Sequence, residues 1–216
     1  MMNWLFRTLS TSVGKKQMMA VTGLLFLLFL ATHLLGNLSV YGGPASFVSY
    51  AEHLHALGNL LVAAEVIMLL ALIIHVSTAV VLFFQNRSAR PVAYQVDRSG
   101  GGRTFSSQAM PYTGLVILAF LCVHMSTFSR YIVDQTTRNI FQIAADVFSN
   151  PAYLVIFLAS MLILGFHVRH GLWSAFQTVG ANHPKYMPFI QKFSIVFAVI
   201  VALGFGSLPL VILAMH

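Results

Sequence analysis

An all-α integral membrane protein of five transmembrane helices is the fold that this sequence predicts, and three observations predict it. Only 8% of the 216 residues are charged and 58% are hydrophobic, where a soluble domain carries about 25% charge. Mean hydropathy is +0.82. Five apolar stretches, about 18–41, 58–84, 110–133, 152–177 and 193–215, are each long enough to cross a hydrocarbon core of about 30 Å, which takes roughly 20 helical residues. Third, nine histidines are many for so apolar a chain, and each of the first four spans has one well inside it.

Taken in order, the first span follows Lys15 and Lys16 and is too long for a signal-peptide core; no A-x-A-like exit follows it, so it reads as retained. None of the runs alternates with period two, and backbone groups in lipid must be satisfied internally, so each is a helix. Pro111, Pro151 and Pro188 are placed at or before span starts, where a missing N–H does little harm. The stretch "SGGGRT", 99–104, reads as a flexible connection. It lacks the G-K-[ST] ending of a phosphate loop.

Basic residues give the direction. Arg7, Lys15 and Lys16 precede span one; Arg87, Arg90, Arg98 and Arg103 fill the second connection; Lys185 and Lys192 lie in the fourth. The first connection, 42–57, has no Lys or Arg, and in the third Arg130 and Arg138 are offset by Asp134 and Asp146. The positive-inside bias then puts the N-terminus in the cytoplasm and the C-terminus outside. The formal charge of +7 is thus membrane topology and not nucleic-acid binding. A single cysteine excludes a disulfide framework, an iron–sulfur cluster held by this chain alone, and haem attachment through C-x-x-C-H.

His33, His75, His124 and His167 lie one in each of the first four spans. Ionisable residues at membrane depth are costly and face a partner or a cavity. At about 1.5 Å per residue, His33 lies roughly 12 Å from the outer end of its helix and His124 roughly 10–15 Å. His75 and His167 each lie roughly 25 Å from that end. One outer and one inner pair result. Histidines facing each other across a bundle at two levels suit two b-type haems, so the first four helices are expected to form a haem-binding bundle. Zinc is disfavoured, because two imidazoles are too few ligands for it. Gly36, three after His33, and Gly171, four after His167, share the histidine's face and would let a porphyrin edge approach; small-residue helix packing accounts for either equally.

With these residues in place, the sequence resembles the five-helix dihaem cytochrome b membrane-anchor subunit of succinate dehydrogenases and quinol:fumarate reductases. The stretches that carry it are "VGKKQMMAVTGLLFLLFLATHLLGNL", "IIHVSTAVVLFF", "LCVHMS" and "FHVRHGLWSAF". The resemblance implies a subunit of a bacterial or archaeal cytoplasmic membrane. It would anchor a flavoprotein subunit and an iron–sulfur subunit and pass electrons between them and a membrane quinone, menaquinone or another, through two haems b. It assigns His33 with His124 to the distal haem and His75 with His167 to the proximal haem. The direction, succinate oxidation or fumarate reduction, and any higher oligomer of the complex stay open. Some members carry a glutamate two residues before the fourth-span histidine; here that position is Gly165.

In "FHVRHGLWSAF", His170 lies about one turn closer to the cytoplasm than His167. Haem propionates want cationic or hydrogen-bonding partners near the polar boundary, so His170 and Arg169 are assigned to the proximal propionate edge. Arg169 snorkelling to the headgroups is an equal reading, and Trp173 reads as an interfacial anchor. Glu65, the one acid deep in a span, is about 10 Å from its outer end and is expected to carry quinone-linked proton transfer. Glu52 is the second candidate, beside His53 and His55, where a solvated helix cap is the competing reading. Two other functions are open: a dihaem cytochrome b of a different dehydrogenase or hydrogenase, and a transporter or haem-handling protein. The latter would show helices broken in matching positions.

Overall fold

A computed structural model describes residues 3–89 and 105–216. The "SGGGRT" stretch and Arg90, Arg98 and Arg103 lie outside them. The described residues are helical, with no strand among them, and the elements run in chain order as α1 (Asn3–Ser10), α2 (Ser12–Asn37), α3 (Pro44–His55), α4 (Asn59–Ser88), α5 (Phe105–Phe128), α6 (Ile140–Phe148), α7 (Pro151–Thr178) and α8 (Met187–Ala214). A 3₁₀ turn, Leu38–Gly42, extends α2. Five of the helices, α2, α4, α5, α7 and α8, are long and apolar enough to cross a membrane. The protein is therefore a multi-pass membrane protein.

Local chemistry sets the helix starts. Thr11 caps α2, its hydroxyl accepting from the Gly14 amide at 3.0 Å. Asn139 and Gln142 close a reciprocal capping box at the start of α6, and Asn150 caps α7 immediately before Pro151. Lys15 Nζ donates to Gln85 Oε1 at 3.2 Å, so the start of α2 lies beside the end of α4. We call this end of the bundle the near end. Tyr41 Oη donates to Ser207 Oγ at 2.8 Å, joining the ends of α2 and α8 at the far end.

The helix bounds depart from the expected spans: α2 and α8 each begin about six residues earlier, at Ser12 and Met187, and α5 is shifted at both ends. The third span is not 110–133 but Phe105–Phe128, which puts Pro111 inside α5 instead of at its start. Proline removes one amide donor there, and the helix continues through it. Arg130 consequently falls beyond the helix end. The first connection is itself mostly helical, as α3, and the third contains α6; both caps are short amphipathic helices, below the length a span search selects. The α3 and α6 helices pack against each other at the far end. There Phe47, Phe141, Ala145 and Phe148 join Leu34, Phe157 and Phe205 in the buried core.

Packing is uneven around the bundle. Helix α7 packs most extensively against α8 and also against α5 and α2, while α2 packs against α4. Helices α4 and α5 touch only sparsely, and the apolar stretch of α5 contains no buried residue. The first four spanning helices thus run α4–α2–α7–α5 with an open seam between the two outermost.

Candidate functional site

His33 and His124 come from α2 and α5, which lie diagonally across that arrangement. His75 and His167 come from the other diagonal, α4 and α7. Both α2 and α5 end four residues past their histidine, about 6 Å along the axis, somewhat less than the sequence reading allowed because its spans ran longer. His75 and His167 each lie 16 residues past the first residue of their helix, about 24 Å from the far end. The four imidazoles therefore stand at two levels, one far and one near.

The far level is aromatic. The His33 and His124 rings lie 6.2 Å apart, centroid to centroid, at an interplanar angle of 88°. Phe29 stacks on His33 and Phe120 tilts against His124, with Phe205 and Phe128 closing the surround. Asn37 donates to the His33 carbonyl at 2.8 Å and stands 3.5 Å from its Nδ1. His124 Nδ1 is buried and makes no hydrogen bond.

The near level is polar. Thr22 Oγ1 lies 3.0 Å from His75 Nδ1, and Thr113 Oγ1 lies 3.1 Å from His167 Nδ1. Each histidine also lies against a glycine. A methyl group built on Gly23 would stand 3.5 Å from His75 Cε1, and one on Gly114 the same distance from His167 Cε1. Each imidazole thus passes one edge against backbone while its Nδ1 meets a hydroxyl.

Sequence reasoning missed these four residues, although the signal was present. The pattern T-G-L-x-x-L-x-F-L-x-x-H occurs twice, at 22–33 and at 113–124. Thr, Gly, Phe and His of one copy match those of the other, and in the structure the matched residues play matched parts. Eleven residues separate the threonine from the histidine in each copy, so the two levels are about 16 Å apart along the axis.

The remaining predicted residues are placed as follows. Gly36 lies against the Tyr50 hydroxyl and ring of α3, where a methyl group would collide. Gly171 faces open space, with nothing within 4 Å of a built methyl. Gly165 packs α7 onto α8, close to Ala202 and the Ala198 carbonyl. His170 meets the Trp173 ring edge-on at 5.0 Å, its Nδ1 buried without a hydrogen bond, while Arg169 is exposed. Trp173 is thus a packing partner of His170.

Glu65 has partners that its sequence neighbourhood does not show. Arg130 Nη2 donates to Glu65 Oε2 at 2.9 Å and Tyr131 Oη donates to the same oxygen at 2.6 Å. Arg130 also donates to the Tyr131 hydroxyl at 2.8 Å. The contact exists because α5 ends at Phe128 and frees the two following residues to turn toward α4. Glu65 lies ten residues before His75, so it stands about 15 Å from the near level, at the depth of the far one. Glu52 is elsewhere, exposed in a cleft of about 100 Å³ that it lines with His55, Gln135 and Asn139. Asp134 is bound to Thr136 and Thr137, which hold its carboxyl below the usual carboxylate range. Arg138 pairs with Asp146 at 2.7 Å.

Compared with protein-family models, with curated proteins and with solved structures, the chain finds no match in any of the three.

Proposed function

We propose that this chain is a dihaem cytochrome b membrane subunit, binding one haem b between His33 and His124 and another between His75 and His167. In that role it would anchor flavoprotein and iron–sulfur subunits of a succinate:quinone or quinol:fumarate oxidoreductase at the near, cytoplasmic end. The observation that carries the reading is four imidazoles at two depths on the two diagonals of one bundle, the far two 6.2 Å apart.

The residues present fit the group. With metal–nitrogen bonds of about 2 Å, one metal ion could be held by two imidazoles whose ring centroids stand about 6 Å apart. The far pair stands at 6.2 Å. Among the described residues no three His, Cys, Asp or Glu side chains gather at one point. Two protein ligands per site suit a metal whose macrocycle supplies the others and do not suit bare zinc. The sparse seam between α4 and α5 would admit a flat, apolar group from the side.

Bound haem would supply one-electron chemistry at its iron. The chain's own residues would hold it, keep water away and handle protons. Phe29, Phe120, Phe128 and Phe205 exclude water from the far level. Glu65 is the proton-handling residue there, with Oε2 held by Arg130 and Tyr131 and Oε1 free of hydrogen bonds to described residues. A quinone, menaquinone or another, is the corresponding substrate.

The test is to purify the chain with whatever it assembles with and to titrate its visible spectrum. Two low-spin haems b per chain, extractable with acid–acetone, are expected, together with co-purifying flavoprotein and iron–sulfur subunits. One haem per chain, or none, overturns the two-level reading. Two haems with different partner subunits would transfer the chain to another quinone-linked dehydrogenase.

A further inference from the structure

The threonine hydroxyls have a single proton each, and its destination decides how the near histidines are presented. Thr22 Oγ1 lies 2.8 Å from the Met18 carbonyl and 3.1 Å from that of Met19. Thr113 Oγ1 lies 3.1 Å from each of the Ala109 and Met110 carbonyls. Where the hydroxyl proton returns to a carbonyl of its own helix, as helical threonines commonly arrange, the oxygen is left with a lone pair facing the imidazole. In that arrangement the imidazole is the donor. Nδ1 carries the proton, and Nε2 is left with the lone pair.

We infer that Thr22 and Thr113 are positioning residues that fix the tautomer and the rotation of His75 and His167, so that both present Nε2 as a ligand. Two features make this more than packing. The same hydroxyl meets the same ring atom in both repeats, on different helix pairs, at 3.0 and 3.1 Å. Gly23 and Gly114 leave beside Cε1 of each ring room for a methyl group at 3.5 Å and no more, so a residue longer than alanine would displace the ring from the hydroxyl. The far level lacks the hydroxyl: His124 Nδ1 makes no hydrogen bond, and His33 Nδ1 meets Asn37 Nδ2 at 3.5 Å.

The inference deepens the dihaem reading and rests on it for its redox consequence. A hydrogen bond donated by the outer nitrogen of a ligating histidine raises the ligand's basicity. It therefore favours the oxidised metal and lowers the midpoint potential. Thr22→Val and Thr113→Val keep the shape and remove the acceptor.

Each valine variant is expected to raise the midpoint potential of the near haem and to leave the far haem unchanged. The double variant should shift it further in the same direction, and Thr22→Ser or Thr113→Ser should restore the wild-type value. Two haems present with the near potential unmoved in both valine variants would overturn the inference while leaving the function intact. The second readout needs no haem. Nitrogen-15 NMR of labelled histidine in the haem-free chain should show His75 and His167 protonated at Nδ1, and a mixed tautomer in the valine variants. If the purified chain bound no haem and still showed this, the proposed function would fall and the positioning role would stand. A tautomer indifferent to the valine substitutions would sink the positioning role itself.

Discussion

The two halves of the bundle, α2 with α4 and α5 with α7, agree closely in one place and disagree in another. Thr22, Gly23, Phe29 and His33 have counterparts in Thr113, Gly114, Phe120 and His124, and the structure uses each pair alike. In α4 and α7 the histidines share their depth, and Val76, Phe84 and Gln85 match Val168, Phe176 and Gln177, but the charged residues differ. At the position of Glu65, α7 has Phe157, which is buried in the core; where α7 has Arg169 and His170, α4 has Ser77 and Thr78. The residues that meet the imidazoles recur in α2 and α5, whereas the charged groups do not recur: one acid stands at the far end of one half and a basic pair at the near end of the other.

The largest test of this comparison is the pairing across halves. His33→Ala and His124→Ala, from different halves, should each abolish the same redox component, the far haem, in a potentiometric titration. His75→Ala and His167→Ala should abolish the other. If His33→Ala and His75→Ala removed the same component with assembly intact, the halves would each bind one haem and the diagonal pairing would be wrong.

Matched positions with unlike residues should give unlike phenotypes. Glu65→Gln cannot ionise; it should keep both haems and the dye-linked activity of the soluble subunits, yet lose most quinone-linked turnover in liposomes. Wild-type turnover would remove Glu65 from the proton step. Phe157→Ala, at the equivalent place, should instead cost about 3–5 kcal/mol of stability through the cavity it leaves, read as a lower thermal midpoint in detergent.

A smaller effect is expected at the near end. His170→Ala should retain both haems and shift only the near potential, while Thr78→Ala, its counterpart, should shift neither; Thr78 spends its hydroxyl on the Ile74 carbonyl of its own helix at 2.7 Å. Loss of a haem in His170→Ala would make His170 the ligand in place of His167. The smallest effect belongs to the Arg138–Asp146 pair, both members of which are more than half exposed. Arg138→Ala should change stability by less than about 1 kcal/mol and neither potential.

Much of this was legible from residues alone. The spans follow from length and hydropathy, and the two depths follow from counting 1.5 Å per residue from the ends of antiparallel helices. The histidines stood out because an imidazole among leucines is conspicuous. Glu65 stood out for the same reason, but its partners did not. Arg130 and Tyr131 are 65 and 66 residues away, and they reach Glu65 only because α5 stops at Phe128. Helices α3 and α6 were hidden for another reason: at 12 and 9 residues they are too short to register as spans, and their apolar faces have meaning only against each other and the ends of α2 and α8.

What the sequence by itself determined is therefore the one-dimensional part: which segments enter the membrane, how deep each histidine lies, and that a threonine–glycine pair precedes two of those histidines at the same spacing. These properties depend on composition and helical rise and need no knowledge of neighbours. Only the tertiary structure decided the lateral part. It put α2 diagonally across from α5, gave Gly36 the Tyr50 ring as a neighbour, and brought each threonine to the histidine of another helix and not to the one in its own repeat. Lateral order depends on which helix faces fit which, as Gly165 fits Ala202 and Leu34 fits Gly204. In lipid no difference in hydrophobicity between one apolar face and another selects the partner; close packing and a few hydrogen bonds do.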